Sequence, residues 1–324
     1  MRVWLRPSRR AAGADCGGRS IRLLIAALGL SAAVVAALPV RTGPALTALT
    51  WTAPGREREV LLQQPATCLN PAVAPNQVRI GQALFNAPDL FGGQAARAAI
   101  TCASCHTNGR RNAAFFLAGV SGKPGSADVS SSFFSLARAD GRFDPKPIPD
   151  LALPGKIDHD PASGALERFI RGLVVEEFSG REPSSQQLIA LASYVRAVEA
   201  CSARTTEPRA LASDLLLLSA SIDGAISLLE QHDPAGAAVL VKAARFRLGL
   251  IDERMAGNKL VALRKALLAA SQRLAKLPVQ RAALAAWLAE FDRHVTPQLV
   301  RNEFQSLYAP TKLDQWLAAG ARRK

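Results

Sequence analysis

The chain has 324 residues, 49% of them hydrophobic but only 6% aromatic, and a formal net charge of +14. Abundant Ala and Leu with so few aromatics indicate an all-α globular protein, and the scarcity of aromatics counts against a nucleic-acid partner. The charge is uneven: residues 61–204 hold 14 basic and 12 acidic side chains, whereas residues 205–324 hold 17 and 11. The basic surplus therefore lies at the two ends, where it suits an acidic partner protein or an anionic membrane.

Arg2, Arg6, Arg9, Arg10, Arg19 and Arg22 precede an uncharged apolar run at residues 23–38. A run of that length suits the apolar region of a signal peptide better than a full membrane span, which needs about 20 residues. The small residues Ala36 and Ala37 would accommodate cleavage. The alternative is an uncleaved transmembrane anchor at residues 23–40. Either reading places the body of the protein in the periplasm, soluble or tied to the inner membrane. Residues 1–40 are thus the leader, and residues 41–66 read as a linker.

A first helix is predicted over 77–87, with Val78, Ile80, Leu84 and Phe85 on its apolar face and Pro88 ending it. Gly81 sits at its centre, where a small residue lets a second helix approach closely. Next comes Cys102-Ala103-Ser104-Cys105-His106, the C-x-x-C-H pattern of covalent haem c attachment. The spacing of three puts both thiols on one side of a helical turn, where they can bond the vinyl groups, and His106 then meets the iron as proximal ligand. With 5 Cys and 4 His in the chain, a chance match is expected about once in a thousand such sequences. Half a zinc site would need a second C-x-x-C or an H-x-x-x-H, and a thioredoxin-like pair would need a βαβ neighbourhood; the sequence shows none of these.

Arg110 and Arg111 follow the motif, and their planar forks suit haem propionates. Residues 108–183 are rich in Gly, Pro, Ser and Asp, a composition of loops and crevice walls rather than regular helices. His159, between Asp158 and Asp160, is the other histidine of this segment and the candidate sixth iron ligand; the alternative is a solvated loop histidine. A second helix is predicted over 184–199, with Ser184 or Ser185 as N-cap and Tyr194 placed to pack over the first helix. Cys68 and Cys201 flank the whole segment and are the pair that remains once the haem cysteines and Cys16 of the basic leader region are set aside. In an oxidising compartment they read as a disulfide, the alternative being two unpaired thiols. Residues 67–204 thus have the organisation of a cytochrome c-like haem domain.

Five amphipathic runs follow, at 211–230, 235–253, 260–277, 281–294 and 297–307, punctuated by Asp233-Pro234, Gly257-Asn258, Pro278 and Thr296-Pro297. Residues 205–324 therefore read as a helical bundle, with Met255, His232 and His294 as core or surface residues.

Three stretches, IGQALFNAPDLFGGQAARAAITCASCHTNGRRNAAF at 80–115, SSSFFSLARADGRFDPKPIPDL at 130–151 and QLIALASYVRAV at 187–198, together resemble one haem domain of the di-haem cytochrome c peroxidase superfamily. The likeness covers residues 76–201. It implies covalent roles for Cys102 and Cys105, a proximal role for His106, and peroxide chemistry run through two haems. Only one C-x-x-C-H is present, so the two-haem relay is missing. The leading expectation is an exported mono-haem c-type cytochrome that passes single electrons to a redox partner protein. The alternative is a peroxidase-like oxidoreductase with an open distal site, and a weaker third is a haem sensor with the bundle as output.

Overall fold

The computed structural model describes residues 46–155 and 157–321, so the leader and its apolar run at 23–40 lie outside the described residues. In chain order the helices are α1 (Glu57–Leu62), α2 (Pro75–Phe85), α3 (Gly93–Arg97), α4 (Cys102–Cys105), α5 (Ala165–Gly172), α6 (Ser185–Ala197), α7 (Leu211–Glu230), α8 (Pro234–Arg254), α9 (Val261–Lys276), α10 (Arg281–His294), α11 (Thr296–Asn302) and α12 (Pro310–Ala321). Four very short strands form two antiparallel ladders. β1 (Gln63–Pro65) pairs with β4 (Thr206–Pro208), and β2 (Ser126–Ala127) pairs with β3 (Lys146–Pro147). The fold is mostly helical, as the composition indicates.

The predicted helices are present with their predicted signals. Ser184 caps α6: its hydroxyl accepts from the Gln187 amide at 3.1 Å, and the Gln187 side chain accepts from the Ser184 amide at 2.8 Å. Asp233 caps α8 by accepting from the Gly236 amide at 2.8 Å, just ahead of Pro234 in the first turn.

The crossing of α2 and α6 is unusually close, and Gly81 is the reason. A Cβ at Gly81 would lie 1.9 Å from the Ala190 carbonyl oxygen and 2.8 Å from Tyr194 Cβ. Only hydrogen fits there. Tyr194 is fully buried and meets the Phe85 ring edge-on at a centroid distance of 5.0 Å. A second close approach lies on α7, where a Cβ at Gly224 would come within 2.8 Å of Leu240 Cδ1 on α8 and 3.6 Å of Ile80 Cγ1 on α2. Through it the core of the 67–204 segment continues without a break into that of the following helices, from Val78 to Tyr308. By length and apolarity α7 could cross a membrane, but half of it is buried within the protein against α2, α8 and α10.

Cys68 and Cys201 are joined in a disulfide with a Cα–Cα distance of 5.5 Å, closing a sequence separation of 133. The chain-entropy model assigns such a loop about 5 kcal/mol. Backbone pairing reinforces it, with the Asn70 amide on the Ala197 carbonyl at 2.7 Å and the Glu199 amide on the Cys68 carbonyl at 2.9 Å.

Three segments depart from the sequence reading. Residues 46–66, expected as a linker, are packed structure. Thr52 bridges Phe115, and Leu46, Leu49 and Leu61 form a satellite cluster with Leu307 and Leu313. Leu313 belongs to α12, an unpredicted helix that covers α1 and ties to it through Arg58 and Asp314 at 2.8 Å. Within the expected loop, α5 and the π-helical turn at Leu173–Glu177 that follows it form because Leu166, Ile170 and Val174 recur at helical spacing and face the core, a short signal submerged in Gly and Pro.

Gly81→Ala should lower stability by about 3 kcal/mol or prevent folding, because the new methyl meets a backbone carbonyl that cannot retreat. Gly249→Ala, on the same kind of helix but with nothing within 4 Å of its Cβ position, should gain about 0.5–1 kcal/mol. Urea unfolding of both variants checks the pair; equal effects would contradict the packing described.

Candidate functional site

α4 is a single turn, held at both ends by hydrogen bonds. The Thr101 amide donates to Ser104 Oγ at 3.0 Å, closing the start. At its end the His106 amide reaches the Cys102 carbonyl at 2.9 Å, the Asn112 amide the Cys105 carbonyl at 2.9 Å, and Asn112 Nδ2 the Ser104 carbonyl at 2.8 Å. These contacts satisfy carbonyls that a short helix otherwise leaves open. The chain then reverses through Asn108 and Gly109, with φ of 54° and 74°. A Cβ at Gly109 would fall 2.5 Å from Val198 Cγ2, so this turn fits only glycine. Asn108 Nδ2 donates to the Pro65 carbonyl at 2.8 Å, anchoring the turn to β1.

Cys102 and Cys105 are both free, even though Cys68 and Cys201 are bonded. Burial pushes both thiols up to about 12, so they stay protonated at neutral pH; for Cys105 the neighbouring Cys102 adds to the effect. Burial also takes His106 down to about 4, against the opposing pull of the Pro149 carbonyl and the Asp150 charge. The imidazole is therefore neutral, the form that ligates a metal. Its Nδ1 is buried without a hydrogen-bond partner in good geometry, although the Pro149 carbonyl lies close enough to favour a proton on the ring. Phe85 packs beside His106 with ring centroids 6.4 Å apart. The Tyr194 hydroxyl is a second buried polar atom without a partner. Burial raises its pKa, and the neighbouring Cys102 raises it further.

The remaining predicted residues are placed differently. Arg110 turns its fork onto Asp150, at 2.7 and 2.8 Å, in a mostly buried pair. Burial alone would raise Asp150, but the Arg110 bonds and the Ala152 amide hold it below its usual range. This pair and the Leu151 amide on the Gly109 carbonyl at 3.2 Å fix residues 149–151 beside His106. Sequence reasoning assigned no role to Pro149 or Asp150; the proline-spaced Pro147-Ile148-Pro149-Asp150 is the signal that marks an extended wall there. Arg111 is exposed and has no ion-pair partner among the described residues. His159 is half-buried, and its carbonyl accepts from Arg196 Nε at 2.7 Å. Arg196 also grips Glu167 with two bonds of 2.7 and 2.9 Å, which pins the 158–160 loop between α5 and α6. Met255 is fully buried in the core at the end of α8. Among the described residues, no three His, Cys, Asp or Glu side chains converge as ligands for a bare metal ion. Thioether attachment needs no such convergence, since the thiols bond a macrocycle and only the histidine meets its metal.

Compared with known family models, curated proteins and solved structures, the chain matches none.

The Arg196 bonds hold the Glu167 carboxyl below its ordinary value of 4.5. The stability from this pair is therefore fully present above that value and is lost as pH falls through the lowered one. Glu167→Gln should cost about 1–2 kcal/mol at pH 7 and flatten the fall in stability below about pH 4.5. Denaturation midpoints from pH 3 to 7 check this, and an unchanged acid limb would contradict it.

Proposed function

We propose that this chain is an exported mono-haem c-type cytochrome, in which a cytochrome c-like domain at residues 67–204 holds one haem and passes single electrons to a redox partner protein. The observation that carries the reading is the state of α4. Two half-buried free thiols share one face of a single turn, directly before a half-buried neutral histidine whose Nδ1 is buried without a partner. Such a set fits haem c. Cys102 and Cys105 would each add across a vinyl group, sulfur to one carbon and the thiol hydrogen to the other, without an oxidant. When bound, haem supplies an iron that cycles between two oxidation states by one electron.

The chain's own residues then do three things. His106 would hold the iron, with the Pro149 carbonyl and the Asp150 charge beside its ring as a polar backing that steadies orientation and basicity. Phe85, beside His106, and the buried Tyr194, beside Cys102, would shield a bound haem from water. Arg111, free where Arg110 is committed, is the guanidinium available to a propionate. The Cys68–Cys201 disulfide supports an oxidising compartment and therefore export. The exported location and the anchor or signal role of residues 23–40 are part of this proposal.

His159 remains the proposed sixth ligand, since Arg196 and Glu167 give its loop a fixed anchor. The likeness to the di-haem peroxidase superfamily stays a resemblance of three sequence stretches.

The reduced holoprotein should keep its haem through acid–acetone extraction, and Cys102→Ala/Cys105→Ala should lose it. Carbon monoxide should scarcely alter the reduced spectrum of the wild type and should bind readily to His159→Ala. Haem extracted from the wild type would end the cytochrome reading. Immediate carbon monoxide binding by the wild type would transfer the assignment to the open-site, peroxidase-like alternative.

A further inference from the structure

Behind α4 lies a cavity of about 650 Å³, open to solvent, between residues 47–51, the 101–112 turn, the β1–β4 ladder, α7 and α8. It takes Ala103 and Ser104, the residues between the two cysteines, but neither cysteine nor His106. Residues i and i+3 share a helix face, so this is the side of the turn away from the thiols. Its volume falls in the usual range of small-molecule sites, about 300–1,000 Å³.

The charge around it is unbalanced. Arg209 lines the wall, its Nε donating to the Val60 carbonyl at 3.0 Å, and no carboxylate pairs with it among the described residues. Two more guanidinium groups act on it, Arg254 and Arg247. Arg254 is spent on the Leu61 and Leu307 carbonyls, and Arg247 takes Asp214 at 2.8 Å. Asp214 is the nearby carboxylate that could offset Arg209, but it already accepts from both Arg247 and the Tyr308 hydroxyl. Glu207, the other carboxylate in the wall, is closed off by Gln64, Thr67 and Asn108 and by the charge of Arg204. Burial and the Arg254 charge lower Arg209 to about 10, with Asp214 offsetting part of the fall. Arg209 is half-buried and lines the solvent-open cavity without an ion-pair partner among the described residues, so its charge is available to a ligand there. Trp51, Leu217, Phe246 and Leu250 also line the cavity, with Leu216 exposed at the rim.

We propose that this cavity is a ligand site for an organic carboxylate with an apolar body, the carboxylate on Arg209 and the body against Trp51 and Phe246. A bare inorganic anion would leave that apolar wall wet, and a neutral ligand would leave Arg209 without its counter-charge. The inference concerns a site separate from the thiols and stands whether or not haem is attached.

Titration calorimetry of the full chain as purified, with decanoate as probe, tests it without any haem signal. One site with a Kd on the order of 10–100 µM is expected. Arg209→Gln should weaken binding at least about tenfold while leaving the melting temperature of the unliganded protein equal or higher, because it removes an unpaired cation. Leu216→Asp, at an exposed position that folding does not need, should weaken binding through repulsion at the rim. No binding up to millimolar decanoate, or equal affinity in both variants, would overturn the proposal. Displacement of decanoate by phosphate or chloride at comparable concentration would overturn the organic class.

Discussion

The crossing of α2 over α6 at Gly81 is the contact on which the rest of the molecule depends. With no side chain at Gly81, the helix backbones meet at the Ala190 carbonyl, and Tyr194 lies against α2 with its ring edge on Phe85. Phe85 in turn reaches His106, and Tyr194 is a neighbour of Cys102. The same helix passes Ile80 to Gly224 on α7, so the C-terminal helices are built on the back of the pair that frames the motif. A displacement of this crossing would shift the aromatic wall, the one-turn helix and the bundle together, since close-packed interiors transmit such shifts.

Much of this was legible in the sequence because its signals are local. Helical spacing, Pro after the first helix, Ser184 and Asp233 as caps, and a central glycine each act within a few residues of where they are written. The C-x-x-C-H pattern is local too, since its spacing is the geometry of one turn. The Cys68–Cys201 bond was reachable by elimination, because a compartment and a leftover pair suffice. The rest depends on distant partners. Arg110 follows the motif and reads as a propionate ligand, yet Asp150, forty residues on, takes its fork. Residues 46–66 read as a linker, and their leucines find their partners only at the other end of the chain, in Leu307 and in Leu313 of α12. Pro149 beside His106 is a backbone carbonyl, and no side-chain pattern announces a carbonyl.

Electrostatics divide the molecule into settled and unsettled places. Arg196 with Glu167, Arg110 with Asp150 and Arg247 with Asp214 are compensated pairs that lock loops and helices at small net cost. Among the described residues the buried side-chain atoms without a partner are Trp51 Nε1, Gln77 Oε1, His106 Nδ1, Glu177 Oε2 and the Tyr194 hydroxyl. Of these, His106 and Tyr194 lie at the motif, and Trp51 lines the cavity behind it together with the Arg209 cation. Buried polar groups without partners are uncommon in folded proteins and tend to mark places where something else is bound. On this account the thiol face of α4 takes the covalent cofactor, and the other face takes a separate anion.

The covalent bond at Cys102 and Cys105 is the claim everything functional rests on. Trypsin should release residues 98–110 as one peptide, since Arg97 and Arg110 bracket the motif. Mass spectrometry of that peptide, from protein matured in a periplasm that makes c-type cytochromes, should find it heavier by one haem with no free thiol to alkylate. A peptide of unmodified mass with both thiols alkylatable would contradict the account.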